Sequence, residues 1–118
     1  MHDRRLFVTV AVPVVSRERI FNMSIRLVVT ITAAPGMGGE LAKAYRPRCL
    51  EIQKEPGCEQ FEVFQSIIDP DKLVLLERWT DQAALDVHSQ VNSARPPLDP
   101  KLRSGASERE DYEYRKTR

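Results

Sequence analysis

The chain has 118 residues, of which 42% are hydrophobic and 30% are charged, and its formal net charge is +1. This length predicts one globular domain, and 18 basic residues nearly balance 17 acidic ones that are mixed along the chain, which argues against a nucleic acid or an anionic membrane as a partner. No apolar run reaches the roughly 18 residues that a membrane-spanning helix needs.

The two cysteines, Cys49 and Cys58, do not form a CxxC motif, and neither stands at metal-ligand spacing from another Cys or a His. Two cysteines are too few for a disulfide framework. We therefore expect two reduced thiols in a cytoplasmic protein and no metal site.

Residues 1–22 fit the rest of the chain poorly. Their apolar run from Leu6 resembles a signal peptide only weakly, because Pro13 interrupts it and no small-residue cleavage pattern follows. A strand pattern begins directly after Met23. We interpret residues 1–22 as an N-terminal extension upstream of a natural start at Met23, with an extra strand or arm that packs on a partner subunit as the alternative. The domain proper is then 23–118.

The first half of this domain predicts a strand and then a helix. Residues 25–33 are rich in β-branched side chains, and Pro35-Gly36 predicts the turn that follows. From 40 to 54, apolar residues recur at the helical period. Pro47 interrupts this pattern, so we expect a kink or two shorter helices.

The second half predicts a hairpin, a helix and a last strand. Residues 58–68 and 72–79 read as strands joined by Asp69-Pro70-Asp71, a turn by composition. The next helix runs to about Asn92, with Thr80 or Asp81 as its N-cap. One face of it carries Ala84, Leu85, His88 and Val91. Residues 108–116 predict a final edge strand.

The predicted order is β-α-β-β-α-β, which is typical of a ferredoxin-like α+β sandwich with two helices on one face of a four-stranded antiparallel sheet. In the strand 72–79, Leu73 and Leu75 point to one face while Val74 and Leu76 point to the other. A strand that is apolar on both faces is covered on both. One layer of helices covers only one, so we predict a homodimer in which a second copy covers the other.

The run from Glu77 through Trp79, Thr80-Asp81, Ala84-Leu85 and His88 resembles the antibiotic biosynthesis monooxygenase family, in the branch of the quinol monooxygenases. Pro35-Gly36, Glu55-Pro56-Gly57-Cys58 and Asp69-Pro70 extend the resemblance to about residues 23–116.

The resemblance implies a dimeric α+β barrel and a pocket between sheet and helices, in which an electron-rich aromatic, a quinol or a polyketide phenol, is oxidised by O₂ without metal or flavin. The haem-degrading branch of the family uses a histidine of the second helix and a strand Asn. This chain has no Asn in 25–33, and it has Phe61 where many relatives carry Tyr.

We predict that His88 is the general base toward a phenolic hydroxyl and that Trp79 stacks on the substrate ring. The structural alternatives are a histidine bonded to a backbone carbonyl and a core tryptophan that joins strand to helix. Glu77 lies on the same strand face, where it titrates in the pocket or, as the structural alternative, pairs with Arg26 or Arg78. The predicted substrate-binding residues are Glu77, Phe61, Phe64, Tyr45 and Tyr112.

Three functions therefore remain. The first is a monooxygenase without a cofactor, whose partners are a small aromatic substrate and O₂. The second is a non-catalytic dimeric module that binds a small aromatic metabolite, and the third is a haem-degrading monooxygenase, which the missing Asn disfavours. A cavity that touches Trp79 and His88 would favour an enzyme, whereas a filled core there would favour a structural role.

Overall fold

The computed structural model describes residues 23–118. Its elements are β1 (Ser24–Thr32), α1 (Gly38–Ile52), β2 (Cys58–Gln65), β3 (Lys72–Trp79), α2 (Gln82–Ser93), a 3-10 turn (Pro100–Leu102) and β4 (Glu108–Tyr114). The predictions for residues 1–22 lie outside the described residues. No helix within residues 23–118 is both long enough and apolar enough to cross a membrane.

The four strands form one sheet in the order β2-β3-β1-β4, and every neighbouring pair is antiparallel. Strands β1 and β3, which are not consecutive in the chain, lie side by side in the centre, and β4 is an edge strand as predicted. The ferredoxin-like α+β fold of the single chain is therefore confirmed, and β3 has the predicted bounds.

The core lies between the helices and one face of the sheet. Alternate residues of the two central strands are buried there, because successive side chains of a strand point to opposite faces. They pack with buried residues of the helices and of β2. The largest fully buried side chains are Trp79, Leu27, Ile31, Leu41, Ile52, Leu73 and Leu85.

The first helix is not divided into two shorter helices at Pro47, because α1 runs without interruption from Gly38 to Ile52, and the kink stays a prediction. Pro47 is exposed, whereas Tyr45 and Cys49 on either side of it are buried. Packing of this buried face therefore outweighs the hydrogen bond that proline cannot donate.

Strand β2 is shorter than predicted and ends at Gln65. The Ser66 hydroxyl accepts hydrogen bonds from the backbone N–H groups of Ile68 and Asp69, which starts the hairpin turn before Ile67 can continue the strand. Ile67 is fully exposed as a result. In α2, Val91 is also exposed, so its predicted place on the buried face was wrong.

Candidate functional site

His88 lies on the buried face of α2, where only 5% of its surface is exposed. The helix begins after Asp81, whose side chain accepts a hydrogen bond from the backbone N–H of Ala84, so Asp81 rather than Thr80 is the cap. Leu85 and His88 then follow at the spacing that turns both toward the sheet.

The partner of His88 is Glu55, and not the backbone carbonyl of the structural alternative. The Nδ1 atom of His88 lies 2.8 Å from Oε1 of Glu55. Glu55 stands in the turn after α1, and its own N–H donates to the carbonyl of Ile52. A carboxylate this close to an imidazole N–H fixes the orientation of the ring.

A glycine allows this turn to approach α2. Gly57 has a φ of +81°, and a Cβ atom at this position would lie 2.5 Å from the Cβ atom of Ala84. The carbonyl of Gly57 accepts a hydrogen bond from the N–H of Thr80. The chain segment that carries Glu55 is thereby attached to the junction of β3 and α2.

Arg95 completes the polar side of the site. Its Nη2 atom lies 2.6 Å from Oε2 of Glu55 and 3.2 Å from Oε1 of Glu51. The side chains of Glu55 and Arg95 are largely buried, whereas Glu51 is exposed. A chain of charged groups therefore extends from the surface at Glu51 to the buried imidazole of His88.

Trp79 packs on the other side of the imidazole. The ring centroids of Trp79 and His88 are 4.6 Å apart and the ring planes are inclined by 30°, which is a stacked pair, and the Phe61 ring lies 5.7 Å from His88. Trp79 has no exposed surface. The two rings thus contact each other, and the indole has no free face on which a substrate could stack in this conformation.

Glu77 is buried beside Trp79 and accepts a hydrogen bond of 3.0 Å from the indole N–H. Burial raises the pKa of Glu77, and the hydrogen bond from Trp79 and the proximity of His88 offset this only in part. The expected ion pair with Arg26 or Arg78 was wrong. These two arginines are paired across β1 and β3 on the opposite face of the sheet, where they contact Gln60 and Glu59.

The remaining predicted substrate-binding residues are divided between the two faces of the sheet. Phe61 and Tyr45 are buried on the helix side, where burial raises the pKa of Tyr45. Phe64 and Tyr112 are 46% and 51% exposed on the other side. The structure therefore brings His88, Trp79, Glu77 and Phe61 together and separates Phe64 and Tyr112 from them.

Two site residues, Glu55 and Arg95, were not predicted from the sequence. Glu55 entered the sequence analysis only within the motif Glu55-Pro56-Gly57-Cys58, and no role was predicted for Arg95. Glu55 and His88 are separated by 33 positions, so no local spacing reports their contact. The one available signal was general: a buried histidine needs a hydrogen-bond partner.

Other groups of possible chemical interest lie elsewhere. A groove of about 850 Å³ at the end of the sheet is lined by residues that include Arg78, Glu59 and Tyr114, and it does not reach His88. Both cysteines are free thiols, and burial, followed by the nearby Glu55, raises the pKa of Cys58 to about 11. No three His, Cys, Asp or Glu side chains within residues 23–118 are grouped as metal ligands.

Several solved structures share the fold. Protein PA3566 from Pseudomonas aeruginosa is 25% identical, with a TM-score of 0.67 over 81% of this chain and 98% of that one. A conserved protein from Methanosarcina mazei is 22% identical, with a TM-score of 0.65 over 83% and 99%. A Nitrosomonas europaea protein, described as a candidate antibiotic biosynthesis monooxygenase, is 18% identical, with a TM-score of 0.69 over 79% and 91%.

No protein with a curated description matched the chain. The sequence profile of the antibiotic biosynthesis monooxygenases matches residues 24–95, which is more than half of the chain and includes β1 through α2 together with Glu55, Trp79, His88 and Arg95. The chain therefore belongs to the antibiotic biosynthesis monooxygenase family.

Proposed function

We propose that this protein is a cytoplasmic, cofactor-independent monooxygenase that oxidises an electron-rich aromatic, a quinol or a polyketide phenol, with O₂. The observation that carries the proposal is the buried contact between His88 and Glu55. An imidazole titrates near neutral pH, and a carboxylate on one of its nitrogens leaves the other to accept a proton. Membership of the family supplies the reaction class.

In the proposed reaction, His88 removes the proton of a phenolic hydroxyl. The resulting anion is a much stronger reductant than the phenol, and it passes an electron to O₂. For a quinol, one oxygen atom then forms a bond to a ring carbon and the other leaves as water, so that quinol and O₂ give hydroxyquinone and water. All four electrons come from the substrate, and no other reductant is needed.

Two aromatic rings on the sheet side of His88 suit this task. Trp79 and Phe61 flank the imidazole, and a site that excludes water strengthens the interactions that stabilise an anion. In this proposal Trp79 packs against the ring of His88 and holds the base in its orientation. Its assignment as the residue that stacks on the substrate stays a prediction, which requires a conformation in which the indole is uncovered.

A non-catalytic binding module is the second candidate, and a specific observation favours it. Trp79 is fully buried and occupies the space beside His88 where a substrate ring was expected. A core filled in this way indicates a structural role for the two rings, so the ligand of a binding module would lie elsewhere, and the groove lined by Arg78, Glu59 and Tyr114 offers space for it. The two candidates differ in one measurable property, which is the consumption of O₂.

We also propose that the protein is a homodimer that associates through the sheet face opposite the helices. The centre of this face carries half-buried Val28, Val74 and Leu76, with exposed Phe64 beside them. Val28 is paired with Leu76, and Phe64 with Val74, so the four form one apolar area across three strands. Sedimentation equilibrium should then give twice the 13.5 kDa of one chain.

Oxygen uptake tests the enzymatic proposal. Reduced naphthoquinones and anthrones should raise O₂ consumption above the rate in buffer, and His88→Asn should lower this excess at least about 100-fold, the usual contribution of a general base. Gln90→Asn, at an exposed position of the same helix, is the control and should retain it. Binding of the same compounds by the wild type without O₂ uptake would reject the monooxygenase in favour of the binding module.

A further inference from the structure

We propose that Glu55, itself held by Arg95, is a positioning residue that places the single proton of neutral His88 on Nδ1 and leaves the lone pair on Nε2. The use of this lone pair as a base rests on the function proposed above. The arrangement of the proton is a separate property of the fold, and it can be measured without a substrate.

The direction of the hydrogen bond between Glu55 and His88 determines which ring nitrogen carries the proton. A carboxylate only accepts hydrogen bonds, so the 2.8 Å contact between Oε1 and Nδ1 requires a proton on Nδ1. A neutral imidazole carries one N–H, and Nε2 is therefore the nitrogen that lacks a proton. Exposed histidine prefers the opposite tautomer, with its proton on Nε2, so the contact reverses the intrinsic preference.

Arg95 holds the other oxygen of the Glu55 carboxylate. A guanidinium only donates hydrogen bonds, and the Nη2 atom of Arg95 donates to Oε2 of Glu55 over 2.6 Å. Glu55 thus has an arginine on one oxygen and an imidazole N–H on the other, so both oxygens act as acceptors. Arg95 is fixed in turn by the carboxylate of Glu51, which reaches it from the surface.

Four segments of the chain surround the His88 ring. Strand β3 contributes Trp79 against the ring and the buried carboxylate of Glu77 beyond it, and β2 contributes the apolar ring of Phe61. The turn after α1 contributes Glu55, and the segment after α2 contributes Arg95. Within residues 23–118, the hydrogen bond of His88 is made through Nδ1. Nε2 is consequently the ring nitrogen that keeps its lone pair.

The nitrogen chemical shifts of His88 test the proposal directly. In protein labelled with ¹⁵N-histidine, at a pH above the usual titration range of imidazole, a protonated nitrogen and one with a lone pair resonate far apart. The only other histidine is His2, and the His2→Gln background removes its signal. We expect Nδ1 of His88 to have the protonated shift. Protonation of Nε2 in the wild type would overturn the proposal.

Glu55→Gln provides a sharper test because it keeps the shape of the side chain. Arg95 should retain the amide oxygen, so that the amide NH₂ group faces His88. An NH₂ group donates, and Nδ1 must then accept, which moves the proton to Nε2. We expect a reversed tautomer in this variant. The same tautomer as in the wild type would contradict a positioning role for Glu55.

Glu51→Gln is the matched control, because Glu51 contacts Arg95 but not His88. It should leave the proton on Nδ1. Glu55→Ala is the second variant, in case the amide disturbs folding, and should return His88 to the intrinsic preference for a proton on Nε2. A purely structural role for Glu55 would change the thermal stability of these variants without reversing the tautomer.

Oxygen uptake separates this inference from the proposed function. If the tautomer reverses in Glu55→Gln while neither protein consumes O₂, the positioning role stands and the monooxygenase fails. If the wild type consumes O₂ and Glu55→Gln retains that rate with a reversed tautomer, His88 is not the base although Glu55 positions it. Loss of the rate together with the reversal supports both.

Discussion

The two faces of β3 show how differently one strand can be used. On the helix side, Glu77 and Trp79 are buried, and the indole N–H of Trp79 donates to Oε1 of Glu77 while the indole ring stacks on His88. On the other side, Val74 and Leu76 are only half buried and the described residues offer nothing to cover them. The first face is complete within one chain, whereas the second has apolar surface that a partner can bury.

The difference has a consequence for stability and for association. Burial of apolar area stabilises by about 25 cal/mol per Å², whichever surface covers it. The helix face obtains this contribution on folding. The open face obtains it only on association, so changes there should depend on protein concentration and changes on the helix face should not.

The largest expected effect is that of Trp79→Ala on the helix face. Removal of a fully buried indole leaves a cavity beside His88 and deprives Glu77 of its donor, and we expect a loss of about 3–5 kcal/mol in the free energy of unfolding. Urea denaturation at several protein concentrations measures it, and the loss should be the same at each.

Tyr112→Ala is the matched aromatic substitution on the open face. At concentrations where the monomer predominates, Tyr112→Ala should cost less than about 1 kcal/mol, because half of that side chain is exposed. If Trp79→Ala and Tyr112→Ala lowered the free energy of unfolding equally, the two faces would not differ in their contribution to stability.

The next effect in size is that of Leu76→Glu on the open face. A carboxylate in the middle of the proposed contact must be desolvated without a partner, so we expect the dissociation constant to rise by about 10- to 100-fold, which corresponds to roughly 1.4–2.8 kcal/mol. Sedimentation velocity across a dilution series measures it.

Leu50→Glu makes the same chemical change at an exposed position of α1 and should leave the association unchanged. A wild-type protein that stays monomeric at every concentration would refute the dimer. If Leu76→Glu associated as tightly as the wild type, the dimer contact would be made by another surface.

The sequence predicted the fold well because its signals are local. Alternation of apolar residues in β1 and β3, the Asp81 cap and the Asp69-Pro70-Asp71 turn each act within a few positions. Glu77 was correctly assigned to the face of Trp79 by the same alternation. Its partner was wrong because the nearest arginines along the strands belong to the opposite face.

The candidate site was predictable only in part, because it depends on contacts between distant segments. His88 was identified as a titratable residue on an apolar helix face, but its contact with Glu55 depends on the turn at Gly57, and Arg95 arrives from beyond α2. The mutual stacking of Trp79 and His88 likewise follows from the packing of α2 on β3, which periodicity does not determine.

The smallest expected effect is that of Glu77→Gln, and its dependence on pH identifies the cause. Burial raises the pKa of Glu77 in the folded protein above its ordinary value of 4.5, so the folded state binds more protons than the unfolded state between the two values. Stability from this group is therefore present below about pH 4.5 and is lost as the pH rises through the folded value.

Glutamine cannot ionise, and its oxygen can still accept the hydrogen bond from Trp79. Glu77→Gln should therefore be more stable than the wild type at pH 7, by an amount on the order of 1 kcal/mol, and the difference should shrink toward pH 4. Urea denaturation between pH 4 and pH 8 measures it, with exposed Glu62→Gln as the control that stays within about 0.5 kcal/mol. If the free energy of unfolding changed with pH in the same way for Glu77→Gln and the wild type, the charge of the buried carboxyl would have no effect on stability. The difference between the two faces would then come from the packing around Trp79 alone.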